Sequence, residues 1–253
     1  MHGLGLFETI LAVDGRPVFY ERHLSRLAEG CVRLGWKPAF PNPQDEVIRL
    51  LESNELQSGR ARIRLAITAG SGRVQDLSLG TDHMVWMTAV PAAEPPHRTR
   101  ANLSPWTRNE RSALAGLKSA SYAENLIALE HADRLGFEET VFLNSSGLVC
   151  EAATSNVFVV REGRVRTPSL ASGCLPGVTR SVILEIAATL GIPCEETDVA
   201  PEDLRAADEI FLTSSIRGVM GLSRFENRNL GPGPLTESLR SAWHAAAIGK
   251  SGG

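Results

Sequence analysis

The sequence predicts an α/β protein, with α+β character in its N-terminal half. Three observations carry that prediction. The first half holds short β-favourable runs, among them an alternating segment at Arg62, Ile63, Arg64 and Leu65. The second half alternates helical periods with apolar strand runs. Finally, 253 residues with 43% hydrophobic content give enough chain for two domains.

Taken in order, the apolar run from Leu6 to Val13 predicts a strand, Asp14-Gly15 a turn, and Val18-Phe19-Tyr20 a returning strand. Leu24, Leu27, Cys31 and Leu34 fall on one face of a helix over 21–34. A second helix starts near Pro43 and runs through Val47, Leu50 and Leu51. The alternating strand spans 61–68. The continuous apolar run over 84–90 predicts a strand covered on both faces. Pro91, Pro95 and Pro96 interrupt regular structure before a short strand at 101–106.

The polar, then small-residue segment 108–116 reads as a linker. It divides a smaller domain over 1–107 from a larger one over 117–253. In the larger part a helix over 121–135 leads to a strand at 140–143. Asn144-Ser145-Ser146-Gly147 makes a hairpin turn, and a strand follows at 155–160. Glu162-Gly163 turns the chain again. A helix over 178–190, a strand at 210–213 and a helix over 235–247 complete the reading, with Ser251-Gly252-Gly253 expected to fray.

Composition narrows the function. With 26 Lys+Arg against 29 Asp+Glu the net charge is −3, which gives no reason to expect a nucleic-acid partner or a charged membrane surface. No apolar run approaches the ~18 residues of a membrane span. The start, Met1-His2-Gly3-Leu4-Gly5, lacks a basic and apolar leader pattern, so a cytoplasmic protein is expected. Cys31, Cys150, Cys174 and Cys194 are far apart, and the histidines form no ligand spacing, so neither a disulfide framework nor a metal site is expected.

Lysine is rare: Lys37, Lys118 and Lys250 are the complete set. Lys118 stands among small and apolar residues, with no other charge from Ser112 to Tyr122. Burial there would disfavour its charged form and yield a nucleophilic amine. A lone lysine more often snorkels to water. Glu151 opens Glu151-Ala152-Ala153-Thr154-Ser155-Asn156, where small residues leave room for a flat ring; alone it reads as an ordinary strand-end glutamate. Gly177-Val178-Thr179-Arg180 opens a helix whose free N–H groups suit an anion. Thr213-Ser214-Ser215 adds hydroxyls at a strand end, and Arg26 adds a guanidinium. Each of these also has an ordinary reading as a cap, a turn or a solvated side chain.

Their order is more informative than any one of them. Gly3-Leu4-Gly5-Leu6-Phe7-Glu8-Thr9, His23-Leu24-Ser25-Arg26-Leu27, Lys118-Ser119-Ala120-Ser121-Tyr122-Ala123-Glu124-Asn125, Glu151 to Phe158, Gly177 to Arg180 and Thr213 to Ser215 follow one another along the chain. In that order they resemble the fold-type IV pyridoxal-phosphate enzymes, the class IV aminotransferase family. The resemblance implies a two-domain fold-type IV fold, pyridoxal 5'-phosphate as cofactor and a homodimer. It implies that Lys118 binds the cofactor and that Glu151 faces the pyridine nitrogen. Arg26, Val178, Thr179 and Ser215 or Ser214 would hold the phosphate, and Tyr122 would lie near the ring hydroxyl.

Within the family, D-amino-acid aminotransferases usually have tyrosine where this chain has Phe7, and an Arg-x-His pair where it has Arg73-Val74-Gln75. Branched-chain enzymes usually pair an aromatic residue with an arginine in a comparable strand, a pattern not found here. The glycine-rich opening, the compact length and Leu114-Ala115-Gly116-Leu117-Lys118 are most similar to the aminodeoxychorismate lyases. The resemblance therefore implies conversion of 4-amino-4-deoxychorismate to 4-aminobenzoate and pyruvate, a step toward folate. A transaminase is the alternative, and a non-catalytic ligand-binding protein of the same fold is the second.

Overall fold

A computed structural model describes residues 3–37, 43–70 and 83–249. The Met1-His2 start, Arg73-Val74-Gln75, Lys250 and the tail 251–253 lie outside the described residues. Two compact units emerge. The first comprises Met1–Glu94 and Leu117–Tyr122, the second Pro95–Gly116 and Ala123–Gly253.

In the first unit, strands β1 (Gly5–Val13) and β2 (Arg16–Pro17) form a hairpin. Asp14 and Gly15 both have positive φ, the two-residue turn that suits strand twist and that glycine adopts without strain. The chain then enters helices α1 (Tyr20–Arg33) and α2 (Pro43–Ser53) and strands β3 (Arg60–Thr68) and β4 (Met84–Pro91). Sheet order is β2-β1-β3-β4. Leu6, Ile10 and Ala12 of β1, with Ile63, Leu65 and Ile67 of β3, face the helices and pack on Tyr20, Leu27, Cys31, Val47 and Leu51. The expected strand at Val18-Phe19-Tyr20 is not formed. Phe19 instead takes a left-handed conformation and starts α1 at Tyr20.

The strand expected over 84–90 is present, but it is not covered on both faces. β4 ends the sheet, and Met84, Trp86 and Val90 are 63%, 42% and 39% exposed. Helices α1 and α2 back only one face, so alternate residues of this edge strand point away from the core.

The second unit is built on β5 (Arg98–Arg108), α3 (Ala123–Arg134), β6 (Glu139–Asn144), β7 (Val149–Ala152), β8 (Asn156–Arg161) and β9 (Arg164–Pro168). It continues with α4 (Val178–Thr189), β10 (Cys194–Thr197), α5 (Pro201–Ala206), β11 (Glu209–Ser214), β12 (Gly218–Phe225), β13 (Arg228–Asn229) and α6 (Pro234–Ile248). Its sheet runs β10-β9-β8-β11-β12-β5-β6-β7, with β13 beside β12. Strand β5 pairs in parallel with β12 and β6. That pairing places the chain from Pro95 onward in the second unit, earlier than the boundary at 107 read from the sequence. Segment 108–116 also belongs to this unit.

β8 is the strand buried along its length, from Asn156 to Val160. Its neighbours are β9 and β11, and Phe158 stacks on Phe211 with ring centroids 4.7 Å apart. Among the described residues no helix is long and apolar enough to cross a membrane.

Candidate active site

Lys118 and Tyr122 belong to the short segment that the chain contributes to the first unit. Two backbone bonds hold that segment to the start of β1: Phe7 N–H donates to the Lys118 carbonyl at 3.0 Å, and Ala120 N–H to the Gly5 carbonyl at 2.8 Å. Leu6 and Ser119 form the bridge between them. Phe7 is buried and becomes the centre of a small cluster. Lys118 Nζ lies 4.6 Å from its ring centroid, Arg64 lies 3.7 Å from it, and Tyr122 meets it edge-on at 5.7 Å. Such contacts hold a cation over a ring with about 0.5–2 kcal/mol. Desolvation pulls the Arg64 pKa down, with Tyr122 opposing and the neighbouring charge of Arg62 adding to it.

Arg26 is on α1, three residues after His23, so both side chains point from one helix face to β1. They meet Glu8, which is fully buried. Arg26 Nε donates to Glu8 Oε1 at 2.8 Å and Nη2 to Oε2 at 2.5 Å, while His23 Nδ1 lies 2.7 Å from Oε2. Burial alone would raise the Glu8 carboxyl, but the Arg26 charge and the hydrogen bonds from His23 and Arg26 outweigh it and bring the pKa down to about 2. Burial lowers the His23 pKa, and Glu8 opposes without cancelling it.

Both shifts have the same consequence. A depressed carboxyl contributes stability above its unfolded value of 4.5 that is lost as pH falls toward 2. A histidine held neutral likewise disfavours the fold once acid protonates the unfolded chain. The Glu8 drop corresponds to about 3 kcal/mol. Unfolding melts between pH 7 and pH 3 should show this loss, and Glu8→Gln should flatten the part below pH 4.5. An unchanged acid limb in the variant would remove Glu8 from acid unfolding.

In the second unit, Glu151 sits on β7 and accepts from the Leu175 N–H at 2.9 Å through Oε2. Arg108 Nη2 is 3.9 Å from Glu151 Oε1, and its guanidinium lies 4.5 Å from the Phe142 ring centroid. Asn156, at the head of β8, gathers the neighbouring pieces. It pairs with Thr213 in the sheet, and its Nδ2 donates to the Leu175 carbonyl at 2.8 Å. Its Oδ1 lies where a Cβ on Gly177 would collide with it, so Gly177 lets the N-terminus of α4 come close. Val178 and Thr179 open that helix and are buried. The hydroxyls of Thr179 and Thr213 are buried without a hydrogen-bond partner. Ser214 ends β11, and Ser215 begins the turn to β12; both are half-buried.

Among the residues sequence reasoning singled out, Lys118 and Tyr122 thus share the ring of Phe7. Arg26 joins Glu8 and His23. Glu151, the head of α4 and the end of β11 gather around Asn156. Sequence reasoning missed Glu8, His23, Arg64, Arg108, Glu139 and Arg217. Glu8 did leave a signal: a carboxylate alternating with Leu6 and Ile10 on the core side of an apolar strand needs a buried partner.

The model of the family described as amino-transferase class IV matches residues 5–225. The chain belongs to the class IV aminotransferase family. It is an enzyme of that family, whose members use pyridoxal phosphate. It is 32% identical over 225 residues to a probable branched-chain-amino-acid aminotransferase of Synechocystis, covering 87% of this chain and 74% of that protein. It is 30% identical over 250 residues to the aminodeoxychorismate lyase of Bacillus subtilis, covering 95% and 84%. Among solved structures, the branched-chain aminotransferase of Thermoproteus uzoniensis with norvaline superposes with a TM-score of 0.92 at 26% identity, covering 99% and 88%. The two sheets are those of fold-type IV enzymes.

The second unit of this class IV enzyme fits the cofactor's phosphate. An orphaned buried hydroxyl at Thr179, on the first turn of a helix that starts at Gly177, suits an anion that accepts hydrogen bonds. The Glu151 carboxylate suits a protonated ring nitrogen.

Proposed function

We propose that this class IV enzyme is a 4-amino-4-deoxychorismate lyase. The observation that supports it most is the pair of arginines on the face of β3 away from the helices. Arg62 and Arg64 alternate there, and Arg64 overhangs the Phe7 ring that Lys118 also approaches. The lyase substrate is a ring carrying two carboxylates, which guanidinium groups bind well. A branched-chain amino acid brings one carboxylate and an apolar side chain. The reaction also needs no second substrate, because 4-aminobenzoate and pyruvate together contain every atom of the starting molecule.

Bound pyridoxal phosphate supplies an electron sink for the charge that develops on the substrate. Lys118 supplies the amine that attaches the cofactor. Once the substrate amine has displaced it, Lys118 takes up and returns protons at Nζ. Glu151 faces the ring nitrogen and keeps it protonated, with its carboxylate oriented by the Leu175 N–H and balanced by Arg108. Arg26, Val178, Thr179, Ser214 and Ser215 hold the phosphate, and Tyr122 lies by the ring hydroxyl. Arg64 anchors a substrate carboxylate. The reading includes a homodimer, for which Leu126 and Ile127, exposed on α3, offer apolar surface. It also includes the cytoplasm, where free thiols such as Cys194 stay reduced.

A transaminase is the second reading, favoured by the 32% identity to the Synechocystis protein. One assay separates the two. Cofactor-loaded enzyme given 4-amino-4-deoxychorismate without any 2-oxo acid should release pyruvate and 4-aminobenzoate in equal amounts. Failure to release either, together with amino transfer from branched-chain amino acids to 2-oxoglutarate, would replace the lyase by the transaminase.

A further inference from the structure

We propose that Glu139 and Arg217 are a positioning pair that sets the hydroxyls of the β11–β12 turn for the cofactor phosphate. The inference rests on the phosphate assignment to Ser214, Ser215 and Thr179 made above.

Glu139 opens β6 and is fully buried. A carboxyl group in such a place needs its partners close by. Arg217 Nη2 donates to Glu139 Oε1 at 2.5 Å and to Ser155 Oγ at 2.8 Å, and it also meets Thr154 Oγ1. Thr154 Oγ1 donates to the same Glu139 oxygen, and Ser155 Oγ reaches it at 3.3 Å. The Thr154 N–H points to Glu139 Oε2 at 3.4 Å. Arg217 Nε donates to Ser214 Oγ at 3.4 Å.

One buried carboxyl group therefore gathers donors from two loops. Thr154 and Ser155 lie between Glu151 and Asn156, on the segment that presents the ring-nitrogen partner. Arg217 is the last residue of the turn 215–217 and folds back onto Ser214. The β8–β11 and β11–β12 ladders already pair these strands up to Thr213 and Ser214. What the ladders do not fix is the turn beyond them, and that is what the Arg217 fork fastens.

Positioning and plain stabilisation predict different binding. A structural pair lowers the melting temperature without choosing among ligands. A pair that sets phosphate-binding hydroxyls affects pyridoxal phosphate and spares pyridoxal, which lacks the phosphate. Full-length enzyme stripped of cofactor is titrated with each compound, following the absorbance of the lysine-bound chromophore. Glu139→Gln and Arg217→Lys should weaken pyridoxal phosphate binding about tenfold or more and leave pyridoxal binding unchanged.

Equal weakening of both compounds, or of neither, overturns the proposal. Should Glu139→Gln not fold, Arg217→Lys decides alone, since it sits part-exposed and keeps its charge. Ser215→Ala and Thr179→Val serve as references. If these lose the preference for the phosphate compound and the pair variants keep it, the pair is structural and the phosphate assignment stands. If the references keep the preference, the phosphate assignment falls and the pair proposal falls with it.

Discussion

Lys118→Ala should end covalent capture of pyridoxal phosphate and lower turnover by about 10²–10⁴-fold, the range expected when a positioned proton carrier is removed. Of the other lysines, Lys37 belongs to no motif of the family's order and Lys250 lies near the C-terminus. The local structure explains why Lys118 cannot be replaced by a neighbour. Its carbonyl accepts from Phe7, Ala120 donates to Gly5, and the bridged backbone places Nζ 4.6 Å from the Phe7 ring centroid. Folding should suffer little, because the side chain loses one cation–ring contact worth about 0.5–2 kcal/mol. Borohydride reduction followed by mass spectrometry of the peptides reads the result directly. A label persisting in the variant would place the cofactor on a different lysine.

Glu151→Ala should cost about 10²–10³-fold in kcat, the scale on which a single preorganised electrostatic contact acts. Its effect on stability should be smaller, about 1–3 kcal/mol, because the Leu175 N–H and Arg108 lose a partner in a partly buried place. Glu151→Gln separates the two effects. The amide oxygen can still accept from Leu175, so folding is retained, but the negative charge is gone. Turnover should therefore fall nearly as far as in the alanine variant. Thermal melts and steady-state rates on both variants check this. Full activity in Glu151→Gln would remove the carboxylate's charge from the chemistry.

The sequence made the element types of this fold readable where local signals were strong. Helix α1 follows from the spacing of Leu24, Leu27 and Cys31, and the β1–β2 turn from Asp14-Gly15. Local signals failed where neighbours decide. The apolar runs over 84–90 and 156–160 look alike, yet the second lies between two strands of a covered sheet and the first ends a sheet backed on one side. Nothing within either run encodes that difference. The same holds for β5, whose residues do not announce that they will pair with β12, more than a hundred residues onward.

The candidate site was legible in the same uneven way. Lys118, Glu151 and the Gly177-Val178-Thr179 helix start stand out because each breaks a local rule: a rare amine among small residues, a carboxylate before a small-residue run, a glycine at a helix head. The supporting residues do not stand out. Glu139 and Arg217 are separated by 78 positions and meet only in the folded sheet. Arg64 looks like any polar residue of an alternating strand until Phe7 is found beneath it.

The route of the chain around Lys118 also limits how this protein could be divided. A contiguous piece ending at Glu94 would keep the first sheet and both of its helices. It would lack Leu117–Tyr122, which pairs with the β1 edge at Leu6. Such a fragment would expose unpaired backbone there, the kind of edge that recruits foreign strands. It would also leave the reactive amine behind on the other piece. Recombination that exchanges whole units between relatives must therefore carry two separated stretches of sequence together, and a single crossover near residue 94 would give a chain whose first sheet and lysine segment come from different parents.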